Sequence, residues 1–361
     1  MKVLMTHPDL ERLGGIETYV SKVLKRMPVE VTSFTVGRRF GERGRLDTLR
    51  RLLADQRAFQ SALDTGAFDV VHANTSFSRR AFFREAWLLR LSKRRGARTV
   101  MFIHGWQEPF ARWMHLVGRR AFRRAMANVD AVIVLSEGFE EEVRSLGYPG
   151  PIFREVTVVD DDVVAGLDVE VLMKQRRAHK RRRLVFVSRV TRAKGIYVAL
   201  DTMKLLEERD CDVELFVVGD GPELSGAEAY AEAHGVHHVT FTGRVDLDRV
   251  STLLSEGDLF FLPTMHGEGL PNVIVEAMAV GLPVVTRPVG GIADLFLTGQ
   301  HGVVTESTDP GDFAALIAAA FADGDAYDAM SRNNAEYSRE NLLASDASRR
   351  LAAIYSDLLE P

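Results

Sequence analysis

Two carboxylates, Glu268 and Glu276, flank a helix start in the run His266 to Val285, HGEGLPNVIVEAMAVGLPVV. Pro271 is suited to the first helical position, where its ring presets φ and its missing N–H costs nothing. Glu268 is then a loop residue. Val273, Ile274, Ala277, Met278 and Val280 recur at helical spacing, so the helix buries one face, and Gly281-Leu282-Pro283 stops it before an apolar strand, Val284 to Thr286. Glu276 falls about one turn inside this helix. Open backbone N–H groups at such a start, with the dipole behind them, favour a phosphate. Carboxylates beside them are acceptors for sugar hydroxyls, and together the two features suit a nucleotide sugar. Two glutamates at this spacing alone are ordinarily solvated charges, and it is the flanking pattern that sets these apart.

Further along the same line of chemistry, Ser188-Arg189-Val190 follows an apolar strand and Lys194-Gly195 opens the next helix. Both cations are expected to face a cleft between domains, Arg offering planar bidentate hydrogen bonds and Lys a compact charge to a departing diphosphate. Gly14-Gly15-Ile16-Glu17 follows the first strand, and its glycines serve a tight turn or a close backbone approach to a ligand equally well. His104 ends the strand VMFI before Gly105, where a lone histidine is commonly structural. The turns Val218 to Glu223 and Phe241 to Arg244 have ordinary turn composition.

The elements that must position these residues follow from apolar runs at Val3–Met5, Val29–Val36, Val70–His72, Thr99–Ile103 and Ala131–Leu135, with helical patterns between them. A second series runs Leu184–Val187, Val213–Val218, Val239–Phe241, Leu259–Leu262 and Val284–Thr286, with intervening helices such as Ile196–Glu208. Two parallel α/β domains in tandem are expected, consistent with 361 residues. The linker is placed in the segment from about Asp160 to Arg183, whose run Lys180 to Arg183 reads as a solvated helix end. Ligands of such sheets settle at the carboxyl ends of the strands.

Composition, 46% hydrophobic and 27% charged, is that of a globular protein. The single cysteine, Cys211, excludes an internal disulfide and fits a reducing compartment. The N-terminus reads as a strand, and no apolar run approaches the roughly 20 residues needed to span a bilayer, so a cytoplasmic protein, or one attached to the inner membrane face peripherally, is expected. The net charge of −4 conceals an asymmetry: residues 1–159 hold 27 Lys+Arg against 17 Asp+Glu. Between Arg79 and Arg124 lie 13 Lys+Arg and only two acids, Glu85 and Glu108, interleaved with Phe82, Trp87 and Trp113. These are expected to form amphipathic basic helices.

The run from Glu268 through GLPNVIVEAMAVGLPVV to Gly290-Gly291 resembles the donor-site signature of retaining glycosyltransferases of family 4. The likeness is specific over Ser188 to Asp294 and weaker over the first 180 residues. It implies the GT-B fold, two Rossmann-like domains whose parallel sheets face a cleft: an acceptor-binding domain, 1–165, and a nucleotide-sugar domain, 166–343, with the C-terminal helix 344–361 packed back on the first. It further implies transfer of a sugar to a glycan or lipid-linked acceptor with retention of configuration, in cell-surface polysaccharide or glycolipid synthesis. Donor contacts would come from Gly15 (diphosphate), Arg189 and Lys194 (leaving group), Gly243 and Arg244 (base), Glu268, Gly269 and Leu270 (sugar), and Glu276 (ribose). His104 would position and polarise the sugar, and the catalytic set would be Glu268, His104, Arg189 and Lys194.

Two departures stand out. Ser188 replaces a more usual glycine, and Asp160-Asp161-Asp162 occupies the place of an asparagine-glycine turn. Three aspartates could hold a metal against a diphosphate as in the other major glycosyltransferase fold. With Arg189, Lys194 and a helix start available, no metal and no cofactor beyond the nucleotide sugar is required, and a capping or linker role is expected. The basic stretch Arg79–Arg124 suggests an anionic membrane surface as a partner. A nucleotide-sugar epimerase on the same fold is the competing enzyme. A nucleic-acid-binding module using the arginines as a phosphate track is the competing non-enzyme, and nucleic acid is not expected because no recognition motif is present.

Overall fold

The computed structural model describes residues 1–11, 14–39, 45–265, 269–296 and 298–360, with the backbone alone for 45–49. The chain divides into two compact units, Met1–Val158 with Ala344–Pro361, and Val159–Leu343. The first carries strands β1 (Lys2–His7), β2 (Glu30–Thr35), β3 (Val70–Phe77), β4 (Arg98–Trp106), β5 (Ala131–Val134) and β6 (Ile152–Arg154). They form one sheet in the order β2-β1-β3-β4-β5-β6. The second carries β7 (Arg182–Val187), β8 (Val213–Val218), β9 (Val239–Gly243), β10 (Leu259–Leu262), β11 (Val284–Thr286) and β12 (Gly302–Val304), in the order β12-β11-β10-β7-β8-β9. Every pairing in both sheets is parallel. Helices cover both faces, which is why central strands such as β5 and β10 are buried at every residue.

All ten apolar runs are strands. The two strands the sequence does not announce, β6 and β12, are three-residue edge strands that are only partly buried, so no apolar run marks them. Two irregularities matter for the ends of the sheets. Along β3 and β4 the register passes from Thr75 opposite Ile103 to Ser76 opposite Gly105, leaving His104 as an extra, bulged residue. His104 therefore does not end β4 but interrupts it, and a bulge re-aims a side chain at the place where it occurs. Along β8 and β9 the same happens at Thr242, between Val217 opposite Phe241 and Val218 opposite Gly243.

The segment expected to be a linker is folded. Asp161–Val164 and Val169–Arg177 are helices of the second unit, and the division of the chain falls at Val158/Val159 instead of 165/166. Of the run read as a solvated helix end, Arg182 and Arg183 open β7. Arg182 pairs with the fully buried Asp258 at 3.1 Å and Arg183 with Glu214 at 3.0 Å. The buried Asp258 also takes the Arg183 N–H and meets His179, so donors from this segment converge on it, a fact invisible in a local window.

The last helix, Ala344–Leu359, belongs to the first unit. Leu351, Ile354 and Tyr355 enter the core formed with Val3, Met5, Val20 and Phe102. Arg350 forms a two-pronged pair with the buried Glu155, both contacts at 2.8 Å, and Ser348 donates to the carbonyl of Val23 at 3.1 Å.

Candidate functional site

In the second unit three loops at the carboxyl ends of the strands are tied together. Thr191 caps a short 3₁₀ turn, Arg192–Lys194, by accepting from the Lys194 N–H, and Gly195 then turns the chain into the helix Ile196–Glu208. Gly195 has φ +81°, and a Cβ there would overlap the Pro263 carbonyl, so only glycine lets the turn lie this close to the end of β10. The contact is closed by Met265 N–H donating to Ala193 O at 2.8 Å. The chain entering the Glu268 loop is thus tethered beside Lys194. Glu268 itself, with His266 and Gly267, lies outside the described residues.

On the other side of that gap, Gly269 O accepts from Gly291 N–H at 3.2 Å, which joins the Gly290-Gly291 loop to the chain entering the next helix. That helix is Asn272–Ala279, and Pro271 is its N-cap, one position earlier than the sequence suggests. Ile274, Val275, Ala277, Met278 and Ala279 are buried, more than one face. The half-buried strip left over is Asn272, Val273 and Glu276; Glu276 lies four residues after Asn272 and three after Val273, so it shares its side of the helix with the first turn, which has no side-chain cap. Leu270 is buried under this entry.

Two supports of this helix were not foreseen. Arg176, buried within Val169–Arg177, donates through Nη2 to Val280 O at 2.7 Å and Nη1 to Gly281 O at 3.1 Å, so a cation stabilises the carboxyl end of the helix whose amino end is the candidate anion site. Asn334 donates to Leu282 O and His301 O at 2.6 and 2.8 Å. Arginine is ordinarily exposed, so nothing in sequence marks Arg176.

The cations separate in environment. Lys194 is half-buried, whereas Arg189 is exposed and its side chain has no partner among the described residues. Arg189 is held by backbone on both sides. Val190 N–H donates to Asp220 O at 3.0 Å, and Gly219 N–H to Gly243 O at 2.9 Å, lacing the ends of β7, β8 and β9. Cβ atoms on Gly219 (φ +134°) and Gly221 would overlap the carbonyls of Ser188 and Val190. Gly243 (φ +63°) faces open space, and Arg244 beside it is exposed.

In the first unit Gly14 caps the helix Gly15–Leu24 in extended conformation, and the Glu17 carboxylate folds back against it, where a Cβ would stand. Tyr19 of this helix meets the His104 ring edge-on at 5.0 Å, and Phe102 stacks on the same ring at 3.8 Å. His104 Nε2 is 2.8 Å from Asn74 Oδ1, Asn74 Nδ2 donates to Thr6 O at 3.0 Å, and Thr6 Oγ1 donates to the buried Glu85 at 2.8 Å. Desolvation, then the neighbouring His72, holds the His104 pKa well below 6.5. Burial lowers His72 to about 4, and its Nδ1 bonds the Tyr355 hydroxyl at 2.7 Å. Burial likewise raises Glu85, opposed by Arg84, which pairs with it at 2.8 Å. Through Tyr19, the helix that Gly15 opens is packed on His104 towards the carboxyl ends of the interior strands β1 and β4, and Asn74, Thr6 and Glu85 are members sequence reasoning missed.

Asp160 accepts from Asp162 N–H and so caps Asp161–Val164. Among the described residues no group of three His, Cys, Asp or Glu could hold a metal ion. The basic stretch forms the helices Arg79–Lys93, Glu108–Trp113 and Arg119–Met126, the last two joined by a π-helical turn, Met114–Gly118. The Arg79 guanidinium lies 5.8 Å from the Trp113 ring, so the first two present one surface. Leu116 and Val117, on the turn, are 82% and 70% exposed. Among the described residues no helix is long and apolar enough to cross a membrane.

Comparison with known proteins places these features. The model of group 1 glycosyl transferases matches residues 169–337, and that of glycosyltransferase family 4 matches residues 13–159. An uncharacterised glycosyltransferase of Methanocaldococcus jannaschii is 20% identical over 359 residues, 94% of either chain. A GDP-mannose-dependent alpha-(1-6)-phosphatidylinositol monomannoside mannosyltransferase of Mycolicibacterium smegmatis is 30% identical over 230 residues, 61% of this chain and 60% of that one. Among solved structures, Anabaena HepE in complex with UDP and glucose superimposes with a TM-score of 0.72 over 99% of both chains at 19% identity. With one model on each parallel α/β unit and a fold match along the whole chain, this protein belongs to the group 1, family 4 glycosyltransferases and has the GT-B fold.

Proposed function

We propose that the protein moves a hexosyl group from a nucleoside-diphosphate sugar to a glycan or lipid-linked acceptor, with retention of anomeric configuration and without a metal. The observation that carries this reading is the tethering of the Lys194 turn to the Met265 end of the Glu268 loop, and of Gly269 to Gly291. It gathers a cation, a helix start without a side-chain cap and the Glu276 carboxylate at the ends of adjacent strands β7, β10 and β11. Arg189 and Lys194 offset charge on the departing diphosphate, as preorganised donors do where charge develops. The amino end of Asn272–Ala279 receives phosphate, Glu276 the ribose hydroxyls, Glu268 with Gly269 and Leu270 the sugar, and Gly243 and Arg244 the base. Gly15 and His104 contribute to diphosphate and sugar binding. With the acceptor attacking on the face the diphosphate leaves, a phosphate oxygen takes the acceptor proton, and configuration is retained without a carboxylate nucleophile.

The mannosyltransferase relative uses GDP-mannose and HepE was solved with UDP, so both donor classes belong in the test. Thermal shift with UDP-glucose and GDP-mannose, followed by diphosphate release with and without added glycan or lipid acceptors, checks the reaction. Acceptor-dependent release, resistant to EDTA and giving a product of unchanged anomeric configuration, is expected. Conversion of the sugar with no acceptor present identifies an epimerase instead. Glu268→Gln is expected to slow turnover strongly, and unchanged turnover removes Glu268 from the mechanism.

A membrane-facing acceptor is supported by the arginines of 79–124 together with the exposed Trp87, Trp113, Leu116 and Val117. Basic residues at an anionic surface contribute about 1 kcal/mol each, weakened by salt. Sedimentation with phosphatidylserine vesicles at low and high salt is expected to show salt-sensitive binding that Leu116→Asp weakens; no binding at any salt ends this part of the proposal.

A further inference from the structure

We propose that Asn74 is a positioning residue for His104, the side chain already assigned to the sugar: it sets the ring as the Nε2–H tautomer, so that Nδ1 can serve the ligand only as an acceptor, towards a hydroxyl or an N–H. The inference rests, for its ligand half, on the nucleotide-sugar reading above; its tautomer half stands on the first unit alone.

The polarity of the chain is dictated by its end. Thr6 O is a carbonyl and can only accept, so the Asn74 group 3.0 Å from it must be the amide NH₂. Asn74 Oδ1 then faces His104, and the ring nitrogen 2.8 Å away, Nε2, must carry the proton. A neutral imidazole has one N–H, so Nδ1 presents a lone pair. The ring is kept neutral by its burial and by the adjacent His72. Nδ1 has no partner among the described residues, and the residue keeps 8% exposure.

The orientation of the ring is equally determined. The bulge in β4 falls at His104, Phe102 stacks on one face and Tyr19 meets the ring edge-on, so the lone pair has a set direction. Thr6 is itself anchored through its hydroxyl to Glu85, which Arg84 pairs with. Asn74 is thus a positioning residue, and carboxylate, phosphate or ether oxygens are poor partners for Nδ1 because two acceptors cannot share a hydrogen bond without a proton.

The test uses the full-length protein labelled with ¹⁵N-histidine at pH 7, the His104 signals being those that vanish in His104→Gln. A protonated Nε2 and a bare Nδ1 are expected in the free protein, with the preference lost in Asn74→Ala. A protonated Nδ1, or an imidazolium, overturns the proposal whether or not the variant folds. UDP-glucose, or GDP-mannose in its place, is expected to shift Nδ1 selectively. One monodeoxy analogue is expected to abolish that shift and bind about tenfold more weakly, as loss of one hydrogen bond implies. Equal affinity across all deoxy analogues overturns the ligand half. If neither nucleotide sugar binds, the functional reading fails with that half, and the free-protein tautomer still decides the role of Asn74.

Discussion

Arg189 stands in solvent with no partner among the described residues, whereas Arg176 is buried and donates to three backbone carbonyls. The same residue type therefore predicts opposite phenotypes. Arg189→Ala is expected to leave thermal stability within about 0.5 kcal/mol, since it removes no packed contact, while kcat falls about 10²- to 10³-fold through lost stabilisation of the leaving diphosphate. Paired melting and steady-state measurements check both, and an unimpaired kcat removes Arg189 from the reaction. Arg176→Met is expected to lower stability at every pH by about 3 kcal/mol or more, because the carbonyls of Ser255, Val280 and Gly281 lose their donor. His72 supplies a pH dependence. Its folded pKa, about 4, lies below the ordinary 6.5, so the unfolded chain binds more protons between those values. Its contribution is complete above pH 6.5 and is lost as pH falls towards 4, about 3 kcal/mol in all. Urea midpoints from pH 7 to 4.5 should fall less steeply in His72→Phe than in the parent; parallel slopes refute the assignment.

At the scale of elements, the carboxyl ends of the strands are held by close backbone approaches. Gly219 touches the Ser188 carbonyl with φ +134°, while Gly243, φ +63°, has nothing near it. Gly219→Ala is expected to cost more than about 3 kcal/mol, through overlap and backbone strain together, and Gly243→Ala only about 1 kcal/mol, through strain alone. Denaturant titration of the two variants separates them, and equal costs contradict the packing described. The glycine motifs were legible as turns. Which of them carries a steric veto was not, because that depends on what a neighbouring strand brings against the missing side chain. The bulge at His104 was hidden for a similar reason, since register is a property of a strand pair.

For the whole molecule, the C-terminal helix completes the first unit although it follows the second in sequence. Removing residues 344–361 uncovers the core contacts of Leu351, Ile354 and Tyr355 and strands Glu155 without Arg350. At about 1.5–3 kcal/mol for each large side chain, the loss is expected to unfold the first unit or bring it close to unfolding. Limited proteolysis of the truncated chain should then degrade residues 1–158 while 159–343 survives. Equal resistance of both units contradicts the assignment of the helix.

The strand pattern, the tandem α/β organisation and the places of Arg189, Lys194 and Glu276 in the segments that follow strands were readable from the sequence, because parallel strands buried on both faces must be apolar runs. Tertiary structure alone decided that the expected linker is folded, that Arg182 and Arg183 serve Asp258 and Glu214, and that His104 hangs on Asn74, Thr6 and Glu85. Each of these depends on groups distant in the chain converging, at Asp258 and His104 where water is excluded, and a buried polar atom's partner is chosen by that convergence, not by its neighbours in sequence.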